Sequence, residues 1–118
     1  MNRDLGTLLD IVLACRDIES YTAGLNFERF KVDRLVRDAK LHQLTIIGEA
    51  TKRLSKRFRE HHPAIPWQQI AGMRDHLVHA YDKVNLELVW RTATVDVPRL
   101  RQDLEPLIPP EESDAASY

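Results

Sequence analysis

The sequence predicts an all-α protein, an antiparallel four-helix bundle that pairs into a symmetric dimer. Apolar residues recur at helical spacing along nearly the whole chain, and no alternating run has the length and β-branched content of a strand. Glycine is scarce, and the breaks between periodic segments are short, as antiparallel neighbours require. The first helix is expected over about residues 4–21, with Leu5, Leu8, Leu9, Val12 and Cys15 on its buried face. Thr22-Ala23-Gly24 ends it, and Asn26 can cap a short turn carrying Phe27 and Phe30. A long second helix follows over about 32–59, its apolar side running from Leu35 to Leu54. His61-His62-Pro63-Ala64-Ile65-Pro66 stops it, and Pro66 can open a third helix that runs through Tyr81. Asp82-Lys83-Val84-Asn85 is a polar joint in which Asn85 caps a fourth helix, kinked at Pro98. The helical domain is expected over 1–107, with a loose acidic tail over 108–118.

Composition narrows the function classes. The chain has 118 residues, 43% apolar and 30% charged, which suits one globular domain. No apolar run approaches the roughly 20 residues of a membrane span, and charges interrupt the N-terminal pattern where a secretory signal would need an apolar core. A cytoplasmic location is therefore expected. The single cysteine, Cys15, cannot form an internal disulfide and reads as a small core residue. A net charge of −1 excludes a generally basic nucleic-acid binder, so any such contact needs a local patch.

The densest polar cluster is Arg74-Asp75-His76-Leu77-Val78-His79-Ala80-Tyr81. On a continuous helix Asp75 and His79 are neighbours one turn apart, and Tyr81 follows Arg74 by nearly two turns on the same side. Arg74 and His79 would then lie about 140° apart around the axis. Either Arg74 wraps round, or the helix loosens near Tyr81, or a two-fold partner supplies the other half of the site; the last is favoured. The residue types suit RNA transesterification. Imidazole takes a ribose 2′-hydroxyl proton near neutral pH, and a guanidinium meets the charge developing on phosphate. Asp75 can hold the imidazole in one tautomer. No metal or cofactor is required, and the products would be a 2′,3′-cyclic phosphate and a 5′-hydroxyl.

The Arg-x4-His-x-Tyr spacing of Arg74, His79 and Tyr81 resembles the signature of the HepT branch of HEPN proteins, also catalogued as DUF86. So do Ile46-Ile47-Gly48-Glu49-Ala50-Thr51-Lys52-Arg53-Leu54, His62-Pro63-Ala64-Ile65-Pro66-Trp67, Ile70-Ala71-Gly72-Met73-Arg74-Asp75 and Val84-Asn85-Leu86-Glu87-Leu88-Val89-Trp90, in that order. The resemblance implies a dimeric helical bundle with the Arg/His motifs lining a shared cleft. It implies an RNA-cleaving toxin and a partner antitoxin, a minimal nucleotidyltransferase of the MntA type that transfers AMP from ATP to Tyr81. Many members carry Asn after the motif arginine where this chain has Asp75, which adds negative charge near an RNA phosphate.

Each residue also has a plainer reading. Arg74 can pair with Glu49, or Glu49 can position Arg74 in the site. His79 can be a helix-end histidine and Tyr81 a core aromatic. His76 and His79, with His61 and His62, could be imagined around zinc, but no Cys pair or metalloprotease arrangement accompanies them. Lys52, Arg53, Lys56 and Arg57 form a basic stripe that either complements a helix C-terminus or leads RNA to the cleft. The competing function is a catalytically silent helical partner of a nucleotidyltransferase, with a structural adaptor bundle behind it.

Overall fold

The computed structural model describes residues 3–73, 75, 78–79 and 83–109. Helices α1 (Arg3–Thr22), α2 (Phe27–Val32), α3 (Arg34–Arg53), α4 (Lys56–His61) and α5 (Trp67–Ala71) come first. Two-residue strands β1 (Val78–His79) and β2 (Lys83–Val84) follow, then α6 (Leu86–Arg91). A π-helical turn (Thr92–Asp96) joins α6 to α7 (Val97–Leu104), and a 3-10 turn covers Glu105–Leu107. Apart from that short antiparallel pair and the connecting turns, the described residues are helical. None of the described helices is long and apolar enough to cross a membrane.

The helix signals at three points act as expected. Gly24 takes the left-handed φ of 79° that lets the chain leave α1. Asn26 accepts the Arg29 amide at 2.9 Å, and Asn85 accepts the Leu88 amide at 3.0 Å, so each caps its helix. Pro98 is absorbed without a break. It has no amide to offer the Thr94 carbonyl, and the turn just before it is widened to π spacing, with the Val97 amide donating to Thr92.

Two expected helices are divided. The long second helix does not run over 32–59. Asp33 is extended and caps α3 by accepting the Val36 amide at 3.1 Å. Leu54 is extended too, at φ −65° and ψ 140°, and Ser55 starts α4. The cause of that second break is tertiary. The Asp4 carboxylate accepts the Ser55 amide at 2.8 Å and the Ser55 hydroxyl at 2.6 Å, while the same hydroxyl caps the Phe58 amide at 3.0 Å. The third helix also does not run on through Val78 and His79. Val78 and His79 pair in antiparallel register with Val84 and Lys83, a backbone that suits β-branched valine on both sides.

The core lies between α1, α3 and the 86–104 helical run, with Leu8, Ile11, Ile18, Leu44, Ile47 and Leu104 almost wholly shielded. Ile108 also joins it. Cys15 is fully buried, and burial together with nearby Glu19 pushes its thiol up to about 12, which makes it inert. At one edge of this core Arg101 pairs with Glu19 and Arg16 with Glu105 at 2.8 Å, tying α1 to α7 and the 3-10 turn after it. The Arg16 hydrogen bond holds the Glu105 carboxyl below its ordinary range.

Lys40 is the anomaly of the interior. It is 0% exposed, and its Nζ has no hydrogen-bond partner. It sits 4.5 Å from the Phe30 ring and 4.6 Å from the Trp90 ring, so the π faces replace water around the ammonium. Burial lowers its pKa from 10.5 to about 8. The difference corresponds to a cost of about 3 kcal/mol for the charged form. Attraction to the two rings, on the order of 2 kcal/mol, keeps that cost from being larger.

The sign of the pH effect follows. Below pH 8 Lys40 is charged in both folded and unfolded chains, and the cost is fully present. Between pH 8 and 10.5 the folded chain loses the proton first, so stability rises through that window and then levels. Chemical denaturation across this range should show the rise for the parent protein. Lys40→Met should be more stable at pH 7 by about 1 kcal/mol and should lack the rise. An unchanged profile in the variant would count against the buried charge as its source.

Candidate functional site

The segment that carries the motif is set by a close backbone approach. An added Cβ on Gly48 of α3 would stand 3.1 Å from the Ala71 carbonyl oxygen at the end of α5. Only hydrogen fits there comfortably, so α3 receives the end of α5 directly. Gly72 caps α5, and the backbone is helical again at Met73 and Asp75. At the other end of α5 the Trp67 indole donates to the carbonyls of Arg59 at 3.1 Å and His62 at 2.9 Å. That indole therefore ties the start of α5 to the C-terminus of α4, sharing carbonyls that also accept the His62 and Ile65 amides. Gly48 and Trp67 thus fix both ends of the short helix from which the motif emerges.

Arg74, His76 and Tyr81 lie outside the described residues, and His79 is described by its backbone alone. That backbone changes the angular relation expected of the motif. His79 is in an extended pair, so the helical spacing from which the motif's angles were expected does not extend to its backbone. Asp75 itself is exposed and helical, its amide donating to the Gly72 carbonyl at 3.1 Å.

The supporting residues divide between two helices. Glu49 reaches Lys52 at 3.5 Å, both well exposed, and Arg53 lies 3.8 Å from Asp10. Lys52 and Arg53 close α3, where a cation complements the helix dipole. Lys56 and Arg57 open α4 instead, because Leu54 breaks the helix between the pairs. The expected stripe on one helix is therefore two pairs on either side of a bend. Cations in the first turn of α4 oppose its dipole. Among the described residues Lys56 and Arg57 have no ion-pair partner.

Sequence reasoning missed an open groove of about 680 Å³ between α5 and the 86–104 run. Ile70, Met73, Leu88 and Leu100 give it apolar walls, and Thr92, Asp96, Arg99 and Asp103 give it a polar side. Met73 immediately precedes Arg74, and Leu88 follows β2 closely, so the groove lies at the foot of the motif segment. Periodicity assigns Asp96, Arg99 and Asp103 to a solvated face, and no spacing in the chain signals that they border a cavity.

The family model for HepT-like ribonucleases (Ribonuclease HepT-like) matches residues 11–107. A Thermococcus cleftensis protein named "Probable ribonuclease HepT" is 41% identical over 85% of this chain and 91% of its own length. A Caldanaerobacter subterraneus protein named "Putative RNase" is 39% identical over 83% of this chain and 88% of its own. A Methanocaldococcus jannaschii protein with the same description is 36% identical over 90% of this chain and 92% of its own. No solved structure matches the chain. The chain belongs to the HepT-like ribonuclease family.

Gly48→Val tests the backbone approach. The added methyls have to displace the end of α5, at a cost of about 1–3 kcal/mol for overpacking. Thermal unfolding should show that loss, and a variant as stable as the parent would contradict the close contact.

Proposed function

We propose that this HepT-like chain is a metal-independent endoribonuclease that acts as the toxin of a toxin–antitoxin pair. The observation that carries the reading is the family match over 11–107, which spans the whole Arg74–Tyr81 motif. Relatives named as ribonucleases cover most of both chains, which supports RNA as substrate. His79 takes the proton from a ribose 2′-hydroxyl, and Arg74 meets the negative charge that builds on the attacked phosphate. The oxygen so activated closes on phosphorus as the bond to the 5′-oxygen breaks, the 5′-oxygen takes a proton from water to leave as a hydroxyl, and the imidazolium returns its proton to solvent. Asp75 stands beside the motif as a group that biases the imidazole toward one tautomer.

The unpaired cations Lys56 and Arg57 supply the local positive patch that a chain of net charge −1 needs to hold RNA. Their place against the α4 dipole favours a phosphate partner over helix stabilisation. Lys52 and Arg53, engaged with acidic neighbours, contribute less. His76 stands next to the motif and is an RNA-contact candidate, and Glu49 is assigned to Lys52. The active unit is a homodimer in the cytoplasm, with the two motifs facing one cleft, and no metal or cofactor takes part. A partner nucleotidyltransferase silences it by moving AMP from ATP to the Tyr81 hydroxyl, releasing pyrophosphate. The added phosphate and nucleoside then compete with RNA for the cleft.

Arg74→Ala and His79→Ala should each lower RNA cleavage by about 100- to 1000-fold while circular dichroism stays that of the parent. Parental cleavage by His79→Ala would refute the mechanism, and strong inhibition by chelator would point to a metal instead. Tyr81→Phe should still cut RNA but escape a co-expressed transferase encoded beside it. An AMP-sized mass gain on that variant would overturn the assignment of Tyr81. A dimer should appear in sedimentation at micromolar concentration, and a monomer alone would remove the shared cleft.

A further inference from the structure

The groove at the foot of the motif has three properties that an ordinary helix surface lacks. The first concerns Thr92. Five of the six threonines return their hydroxyls to the carbonyl four residues earlier: Thr7, Thr22, Thr45, Thr51 and Thr94, at 2.6–3.3 Å. This is how a helix satisfies a threonine hydroxyl that water cannot reach. Thr92 is 4% exposed and lines the groove, yet its hydroxyl makes no hydrogen bond among the described residues. The Thr92 hydroxyl oxygen keeps some solvent contact, so water or a ligand in the groove can meet it.

The second property is the backbone. Thr92 and Asp96 are the first and last residues of the π-helical turn, so the groove wall is built on widened helix. Such turns cluster at binding and catalytic sites because they re-aim side chains that a regular helix would space differently. Pro98 explains why a wider turn is tolerated here, and the groove gives it a use.

The third property is charge. Asp96 and Arg99 on the groove side are unpaired among the described residues. On the α1 side of the same helix Arg101 is held by Glu19 and by Glu105. The groove therefore offers an apolar wall, a hydroxyl free of intrahelical bonding, two unpaired carboxylates (Asp96 and Asp103) and one unpaired guanidinium among the described residues. A track for phosphates alone would exclude the carboxylates, which repel them. A nucleotide fits the mixture. Its flat base lies against Ile70 and Leu88, its Watson–Crick edge donates to a carboxylate, and its phosphate meets the guanidinium.

We propose that this groove is the base-recognition subsite of the RNA substrate, with Asp96 and Thr92 reading the base and Arg99 holding the neighbouring phosphate. Guanine is the preferred occupant. It presents two parallel N–H donors, N1–H and the N2 amino group, that one carboxylate accepts together, whereas each other base offers a single such donor group. Because Met73 lies in the groove wall, the recognised nucleotide sits next to the bond that the Arg74/His79 motif cuts. This subsite rests on the ribonuclease reading above and assigns it a sequence preference.

The test separates binding from cleavage. Isotope-labelled protein is titrated with 2′-O-methyl trinucleotides, which cannot be cleaved, carrying guanine, inosine, adenine, cytosine or uracil at the central position. Amide shifts of Thr92, Asp96 and Arg99 should saturate with the guanine oligomer. Guanine should bind at least about fivefold tighter than inosine, which lacks the N2 amino group. Asp96→Asn should erase that difference while its spectrum keeps the dispersion of the parent, and Thr92→Val should weaken all five oligomers. Equal binding of all bases, shifts confined to other surfaces, or an undiminished guanine preference in Asp96→Asn would each overturn the proposal. So would a groove that ignores every oligomer and shifts only when a partner protein is added, which would make it a protein-docking surface. The matching cleavable ribotrinucleotides are incubated in parallel. Guanine-dependent binding without any cleavage would sink the ribonuclease reading and leave the base subsite standing.

Discussion

The contact between Gly48 and the Ala71 carbonyl is the constraint on which the site depends. It brings the end of a five-residue helix against the middle of α3, where any side chain would hold the two backbones apart. A helix so short has little stability of its own. It persists because Trp67 anchors its first turn to the end of α4 and because Ile70 is buried. The chain then leaves α5 from a defined point and enters the motif, bends back through the β1–β2 pair, and starts α6 at the Asn85 cap. The groove walls come from both sides of that excursion, which ties the motif and the groove to one framework.

Several charges stand where folding alone does not put them. Lys40 is enclosed by Phe30 and Trp90 and weakens the fold below pH 8. Lys56 and Arg57 oppose the dipole of the helix they begin. Arg99 and Asp96 stay unpaired although they stand one helical turn apart. The two surface cases share a physical logic, since charges that do nothing for folding are free to meet a ligand. Lys40 does not share it. Its ammonium is sealed from solvent, and it holds α2, α3 and α6 around one aromatic cage.

Much of the helical framework is legible in the residues themselves. The α1 stripe, the Gly24 exit and the Asn26 and Asn85 caps are local signals, and local physics decides them. The motif block and its family likeness are equally plain. The break at Ser55 is hidden because apolar spacing continues through Leu54 and Phe58, and the partner that enforces the break, Asp4, lies 51 residues away. Val78 and His79 escape periodicity because a helical pattern running into the motif cannot reveal a short strand pair formed across a turn. Lys40 looks like a surface lysine, and Thr92 like any helical threonine. What distinguishes Lys40 is full burial with no hydrogen-bond partner, and what distinguishes Thr92 is a hydroxyl that does not bond back to its own helix; only three-dimensional packing exposes either.

At the centre of the proposed function stands RNA cleavage by internal attack of the 2′-oxygen, with protein side chains alone supplying the acid–base chemistry and the charge stabilisation. The most direct measurement is the chemistry of the cut ends. A defined RNA is incubated with the purified chain in excess chelator, and the fragments are identified by mass spectrometry. The mechanism predicts 2′,3′-cyclic phosphate on the upstream fragment and a free 5′-hydroxyl on the downstream one. Fragments ending in a 3′-hydroxyl and a 5′-phosphate would contradict it, since those ends require an external water attacking phosphorus in place of the ribose oxygen.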